Sequence, residues 1–212
     1  MTAPRIAGIV PALLAWASFG GKAERSRTAV QSAPPAPGTY SLDPPHTFIL
    51  FAARHLVVGT VRGRFDKVSG TVVVAKNLAD CSVDVTIDAA SVSTQNSVRD
   101  EDLRGPDFFD AAKNPTATYH GVGIRREGKR WIMDGTLTIR GVSRVVPMTF
   151  TFNGTAPADS GKPTRLAFRA TAATQRADFG MTRDLLSEIG PNSKGPDVWL
   201  EIDAEVLAAT RP

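Results

Sequence analysis

Residues 198–206, VWLEIDAEV, set apolar side chains at 198, 200, 202, 204 and 206 against Trp199, Glu201, Asp203 and Glu205. A period of two sends successive side chains to opposite faces of a strand, so this run has one dry face and one wet one. The same alternation lies upstream. Val83, Val85 and Ile87 alternate with Asp84, Thr86 and Asp88, and Leu137 and Ile139 alternate with Thr136, Thr138 and Arg140. Val146, Met148, Phe150 and Phe152 repeat it, as do Leu166, Phe168, Ala170 and Ala172 beside Arg165, Arg169 and Thr171.

Turn residues separate these runs: Arg126 to Lys129 around Gly128 joins one pair as a hairpin, and Asn153-Gly154 through Gly161-Lys162-Pro163 joins another. Connections this short imply antiparallel neighbours. The expected fold is therefore all-β, an eight-stranded antiparallel up-and-down barrel whose closure removes exposed edges. A two-sheet sandwich is the alternative. Two stretches break the rhythm. Ser97 to Asn114 spaces Leu103, Phe108 and Phe109 nearer to helical than to strand period and ends at Asn114-Pro115, which predicts a short helical crossover. Thr47 to Ala53 is apolar on both faces through Phe48, Ile49, Leu50 and Phe51, and needs cover outside as well as inside, for which the crossover is the candidate.

The 212 residues, 42% apolar and 22% charged, suffice for one domain with a substantial core. A single cysteine, Cys81, rules out an internal disulfide framework and a cysteine-based zinc cluster. Arg5, Lys22, Arg25 and Arg27 against Glu24 place +3 of the formal +4 before Gly38, so the body is close to neutral and lacks the basic footprint of a nucleic-acid binder. Arg5 followed by the apolar run Ile6 to Phe19 and Ala15-Trp16-Ala17 has the outline of a secretory signal peptide over 1–21, with an uncleaved anchor as the alternative. Residues 22–38, with prolines at 34, 35 and 37, read as a flexible linker to a single domain over 39–210. Either way the expected address is exported.

The body also resembles a known family. Tyr40-Ser41-Leu42-Asp43 with His46-Thr47, then Phe51, His55, Val61 to Phe65 and Ser69-Gly70-Thr71, look like the opening of YceI-like proteins. Ile87 to Thr94 followed by Arg99-Asp100 and Asp107 to Asp110 is similar to the same family, as are Gly135 to Ser143 and Arg176 to Met181. These blocks run in the family's order from Tyr40 to about Leu207. The resemblance implies a lipocalin-like barrel, exported to the bacterial periplasm, whose bore holds polyisoprenoid or related lipid chains. Asp102 stands where the family often has histidine, Tyr40 where it often has tryptophan, and the loop Pro191 to Pro196 is longer than expected.

A barrel of eight strands is either filled by side chains or just wide enough for one ligand. The expected ligand-facing set is Phe48, Phe51, Val85, Ile87, Leu137, Ile139, Met148, Phe150, Phe168 and Phe179. His46, Arg99, Asp100, Arg176 and Asp178 are the polar candidates for a rim or for a lipid head group, arginine being suited to a diphosphate. His46, His55 and His120 fit no metal motif, and no metal site or cofactor is assigned, a bound isoprenoid lipid or quinone counting as ligand. Nucleophile elbow, zincin, phosphate-loop and dinucleotide motifs are absent, so no catalytic residue is assigned. Enclosing some forty carbons at about 0.8 kcal/mol per methylene would exceed the ceiling on non-covalent affinity unless ordering the chain offsets much of it. Slow exchange of such a cargo calls for a mouth or flap, with Ser97 to Asn114 as the candidate lid. The expected function is to sequester or transport the lipid. An enzyme using the same bore and a structural stress protein with a filled barrel are the alternatives. Transient membrane contact and a homodimer are compatible with this reading.

Overall fold

The computed structural model describes residues 35–128, 130–183, 190 and 195–209. The expected leader, most of the linker and most of the loop 191–196 lie outside the described residues. In chain order the strands are β1 (Gly38–Leu42), β2 (Phe48–His55), β3 (Gly59–Phe65), β4 (Val68–Val74), β5 (Ser82–Asp88) and β6 (Val92–Ser93). After helix α1 (Ser97–Arg104) come β7 (Thr116–Val122), β8 (Arg125–Glu127), β9 (Arg130–Ile139), β10 (Val142–Ala156), β11 (Arg165–Thr174) and β12 (Val198–Ala208).

These segments compose eight staves, because four of the staves are interrupted. The 3-10 turn Pro44–His46 splits β1 from β2, Asp66-Lys67 splits β3 from β4, Ala89–Ser91 splits β5 from β6, and Gly123-Ile124 splits β7 from β8. Prolines 44 and 45 have no N–H to give a ladder, so the first break is written in the sequence. Each stave pairs antiparallel with the next in the chain, and β12 closes the barrel by pairing with β1 at Tyr40↔Ala208 and with β2 at Ile202↔Ile49. The barrel, not the sandwich, is the fold.

Two turns follow their sequence signals. Glu127 pairs with Arg130 across Gly128, and Asp159 bridges Lys162 across Ser160 and Gly161, at φ of 46° and 83°. Two consecutive left-handed residues make the tight hairpin turn whose twist suits strands. Asn153-Gly154, by contrast, begins no turn. The register shifts between Phe152 and Gly154, where φ of 146° is open only to glycine, so the pair forms a bulge and β10 runs on to Ala156.

The crossover is shorter than the spacing predicts. The Asn96 side chain accepts the Arg99 N–H to start α1, but the helix stops at Arg104, because Pro106 bars Gly105 from helical geometry. Leu103 and Phe109 then pack on Ile49, Phe65 and Val92, which face into the barrel. The crossover therefore caps the inner face at one end, and it does not cover the outer face of β2, where Phe48 is 46% exposed. That end, which also carries the β2–β3 tip and the 3-10 turn Arg176–Phe179, is called the capped end below. The turns β4–β5, β8–β9 and β10–β11 mark the opposite, turn end.

Candidate functional site

Cross-strand partners share a face, so register decides which side chains see the bore. Leu200↔Phe51, Val85↔Tyr119, Tyr119↔Leu137 and Phe150↔Ala170 define the inner ring. Of the expected set, Phe51, Val85, Ile87, Leu137, Ile139, Met148, Phe150 and Phe168 occupy inward positions. Phe48 does not. It pairs with Asp203 on the outer face, one residue out of phase with Ile49. Phe179 is on no strand; the 3-10 turn drives it to 1% exposure among Tyr119, Leu137, Val146 and Met181, where it plugs the capped end.

Both ends are dry, and the middle mixes buried side chains, Ile49, Leu137 and Ala170 among them, with half-buried ones. At the turn end Tyr40, Leu166 and Val206 are 4%, 0% and 0% exposed, and at the capped end Val92 and Phe179 are 0% and 1% exposed. Between them Phe51, Val85, Ile139, Met148, Phe150, Phe168, Leu200 and Ile202 face inward yet stay only half-buried. Three glycines help to keep the large groups against the wall. A Cβ on Gly63 would strike the Phe51 ring, one on Gly135 the Tyr119 ring, and one on Gly121 the Met133 sulfur at 2.6 Å. Each side chain lies down on the bare backbone of a neighbouring stave rather than projecting to the axis.

Tyr119 was not among the expected wall residues. Its hydroxyl lies 3.3 Å from the Met133 carbonyl and 3.2 Å from that of Val146, to which it donates. Burial, reinforced by the charge of Asp134, pushes its pKa up to about 12. The signal available in the sequence was the glycine at 135, an inward position with no side chain between Met133 and Leu137.

The polar candidates do not converge on one head-group site; most of them brace the structure. Arg99 donates from Nε to Thr94 Oγ1 at 2.7 Å and from Nη2 to the Thr94 carbonyl at 3.2 Å. Asp100, 6% exposed, accepts from the Thr94 N–H at 2.7 Å and its hydroxyl at 2.6 Å. Arg176 donates to Asp197 Oδ2 at 2.7 Å and to the Arg54 carbonyl at 3.3 Å, tying the 3-10 turn to β2 and the start of β12. Asp178 is exposed. Arg183 pairs with Asp102 and Asp107 and lies over the Phe108 ring, so Asp102 holds the segment after the plug to α1.

His46 lies outside the barrel at the first strand break, with Nδ1 2.8 Å from Asp43 Oδ2. Asp43, His46 and Glu205 bring ligand atoms within 4.8 Å, but Arg165 donates to both carboxylates and its guanidinium takes the place a cation would need. Burial opposes the Asp43 charge, while the His46 and Arg165 hydrogen bonds outweigh it and hold the carboxyl below its usual range. An open outer groove of about 460 Å³ over β4, β5 and β7 holds the His120–Asp84 pair at 2.5 Å; its walls are the polar Ser69, Thr71, Thr86 and Thr118.

Fold and register together define a class, the small closed up-and-down barrels of lipocalin-like architecture with an apolar inner face. Within that class the chain belongs to the YceI-like family, whose domain model matches residues 40–206. It is 31% identical over 167 residues to a UPF0312 protein of Photorhabdus laumondii, covering 77% of this chain and 84% of the relative. It is also 31% identical over 159 residues to Protein YceI of Escherichia coli O157:H7, covering 74% and 81%. Among solved structures it resembles a Campylobacter jejuni YceI protein with a TM-score of 0.59 and 32% identity, covering 72% of this chain and 87% of that one. A polyisoprenoid binding domain from Saccharophagus degradans shares the fold, with a TM-score of 0.60 and 21% identity over 80% of this chain and 98% of that one.

Proposed function

We propose that this protein binds one long apolar lipid, a polyisoprenoid such as a prenyl carrier or isoprenoid quinone, along the bore, and holds or carries it without transforming it. The observation that carries this reading is the half-burial of inward apolar residues in mid-barrel between two ends that are dry. A filled core would bury Phe150, Phe168 and Ile202 as fully as it buries Leu166 and Val206. The name of the Saccharophagus relative supports the choice of cargo. An apolar wall with no converging polar set among the described residues favours a cargo recognised by length and burial rather than by its head. The ring hydroxyl nearest the bore, Tyr119, is protonated at neutral pH and already donates to two carbonyls, so it is no base for an enzyme. Export to a cell envelope, by the expected leader, completes the proposal.

Native mass spectrometry of protein purified from an expressing cell, followed by solvent extraction, tests it. The expected result is a stoichiometric prenyl or quinone species, lost in Phe150→Arg while circular dichroism still reports strands. A Phe150→Arg protein that keeps its lipid overturns the bore as the site. An empty native protein that also refuses added isoprenoid overturns the carrier reading and favours a structural role.

A further inference from the structure

The β2–β3 hairpin tip breaks three rules at once. First, Leu56 and Val57 both sit in the left-handed region, at φ of 48° and 64°. Turns of this shape call for glycine or asparagine, and a β-branched residue there is strained. Secondly, the tip is apolar and wet: Leu56, Val57 and Val58 are 53%, 52% and 94% exposed. Thirdly, Trp199, 40% exposed on the outer face of β12 opposite Ala52, continues the apolar surface from the tip along the wall.

The β2–β3 hairpin carries charge of one sign, while on the adjoining β12 the acids Glu201 and Asp203 pair with Arg169. Residues 48–65 contain Arg54, Arg62 and Arg64 and no acidic residue. The Arg54 guanidinium lies 5.6 Å from the centre of the Trp199 ring, Arg62 is exposed, and Arg64 pairs at the surface with Asp66. Apolar side chains at a tip, a half-exposed tryptophan beside it and a collar of arginines are what an anionic lipid interface receives. A second copy docked about a two-fold axis would set arginines against arginines, which argues against self-association through this face. We infer that the Leu56-Val57-Val58 tip docks the capped end of the barrel on an anionic membrane surface, inserting its apolar side chains among the lipids. Its use as the place where cargo enters rests on the carrier reading; the docking itself does not.

The test places an environment-sensitive fluorophore on the full chain at Val58→Cys, with Cys81, 4% exposed, left untouched in the core. Vesicles of phosphatidylcholine are compared with vesicles that also contain phosphatidylglycerol, and the same label at Val145→Cys, a position 71% exposed on the outer face of β10, serves as control. The expected result is a blue shift and protection from an aqueous quencher at position 58 only, and only with the anionic vesicles. Arg62→Glu should weaken this response by more than the roughly fivefold expected for losing one cation near the surface. Leu56→Asn with Val57→Gly should abolish it while raising the melting temperature, since both residues suit the turn. A label at 58 that stays water-exposed on vesicles, or an equal shift at 145, overturns the inference. So does a shift that needs no vesicles and grows with protein concentration, which would make the occupant a second copy. Uptake of an apolar isoprenoid from detergent, measured in parallel, separates the two readings: docking without uptake sinks the carrier alone, and uptake without docking sinks this inference alone.

Discussion

The two ends of the barrel meet water in opposite ways. At the turn end the β10–β11 connection places Ser160 and Gly161 in the left-handed region, a polar residue and a glycine that occupy it with little or no strain. At the capped end the β2–β3 connection puts Leu56 and Val57 into the same backbone shape, at a cost and with both side chains about half exposed. The capped end also depends on charges taken out of water. Arg176 and Asp197, 11% and 2% exposed at their side chains, hold the plug-bearing turn in place, whereas toward the turn end Arg165 pairs with Asp43 and Glu205 at part-exposed positions and Arg125 with Asp134 at the surface. The turn end obeys local rules and asks nothing further of the molecule. The capped end departs from them wherever a working surface would have to yield, plug or insert.

The contrast is most sharply tested at the buried pair. Asp197→Ala leaves Arg176 without its partner and should cost about 3–5 kcal/mol in denaturant unfolding. Asp134→Ala at the other end should move the unfolding midpoint far less, because its pair with Arg125 is at the surface. Equal losses would erase the distinction between the ends. Exchanging the turns comes next. Grafting Ser160→Leu with Gly161→Val onto the turn end should destabilise by about 2–4 kcal/mol through strain alone, and the reverse graft of Asn-Gly at 56 and 57 should stabilise by about 1 kcal/mol. A reverse graft that destabilises would mean that the tip is held by contacts rather than tolerated against its strain.

The smallest effect is in alkali. The Tyr119 hydroxyl, beside the plug, ionises near 10 in an unfolded chain and near about 12 when buried, so its contribution is whole below pH 10 and is lost as pH rises through 12. The loss should reach about 2–3 kcal/mol, and Tyr119→Phe should remove that pH dependence at a cost of about 1 kcal/mol at neutral pH. A Tyr119→Phe protein with the same alkaline profile would place the sensitive group elsewhere.

Much of this was legible in the residues. Alternation over 82–88, 165–172 and 198–206 marked staves with a dry face, and Ser160-Gly161 and Gly128 lay in turns where their chemistry put them. Alternation and short turns already pointed to about eight strands able to close, and the family blocks added the lipocalin-like barrel. What escaped was phase and direction. Phe48 and Phe51 are both apolar in a run that is apolar throughout, and only the pairing of Ile49 with Ile202 tells which parity is inside. Asn153-Gly154 carries a turn signal, yet the same left-handed freedom serves a bulge. Arg99, Asp100 and Arg176 looked like head-group ligands because charge in a sequence does not show its partner, and their partners turned out to be Thr94 and Asp197. The strained tip was invisible because φ is not written in composition.

The closing seam has a consequence for the order of events. β12 is the last strand made, and it alone joins β11 to both β1 and β2. Until Val198 to Ala208 emerges, the chain is a ribbon with two raw edges, and the contacts that end this state span nearly its whole length. Such a topology is slow to form. The other staves therefore wait on β12, and the barrel has an inside only once that strand is in place.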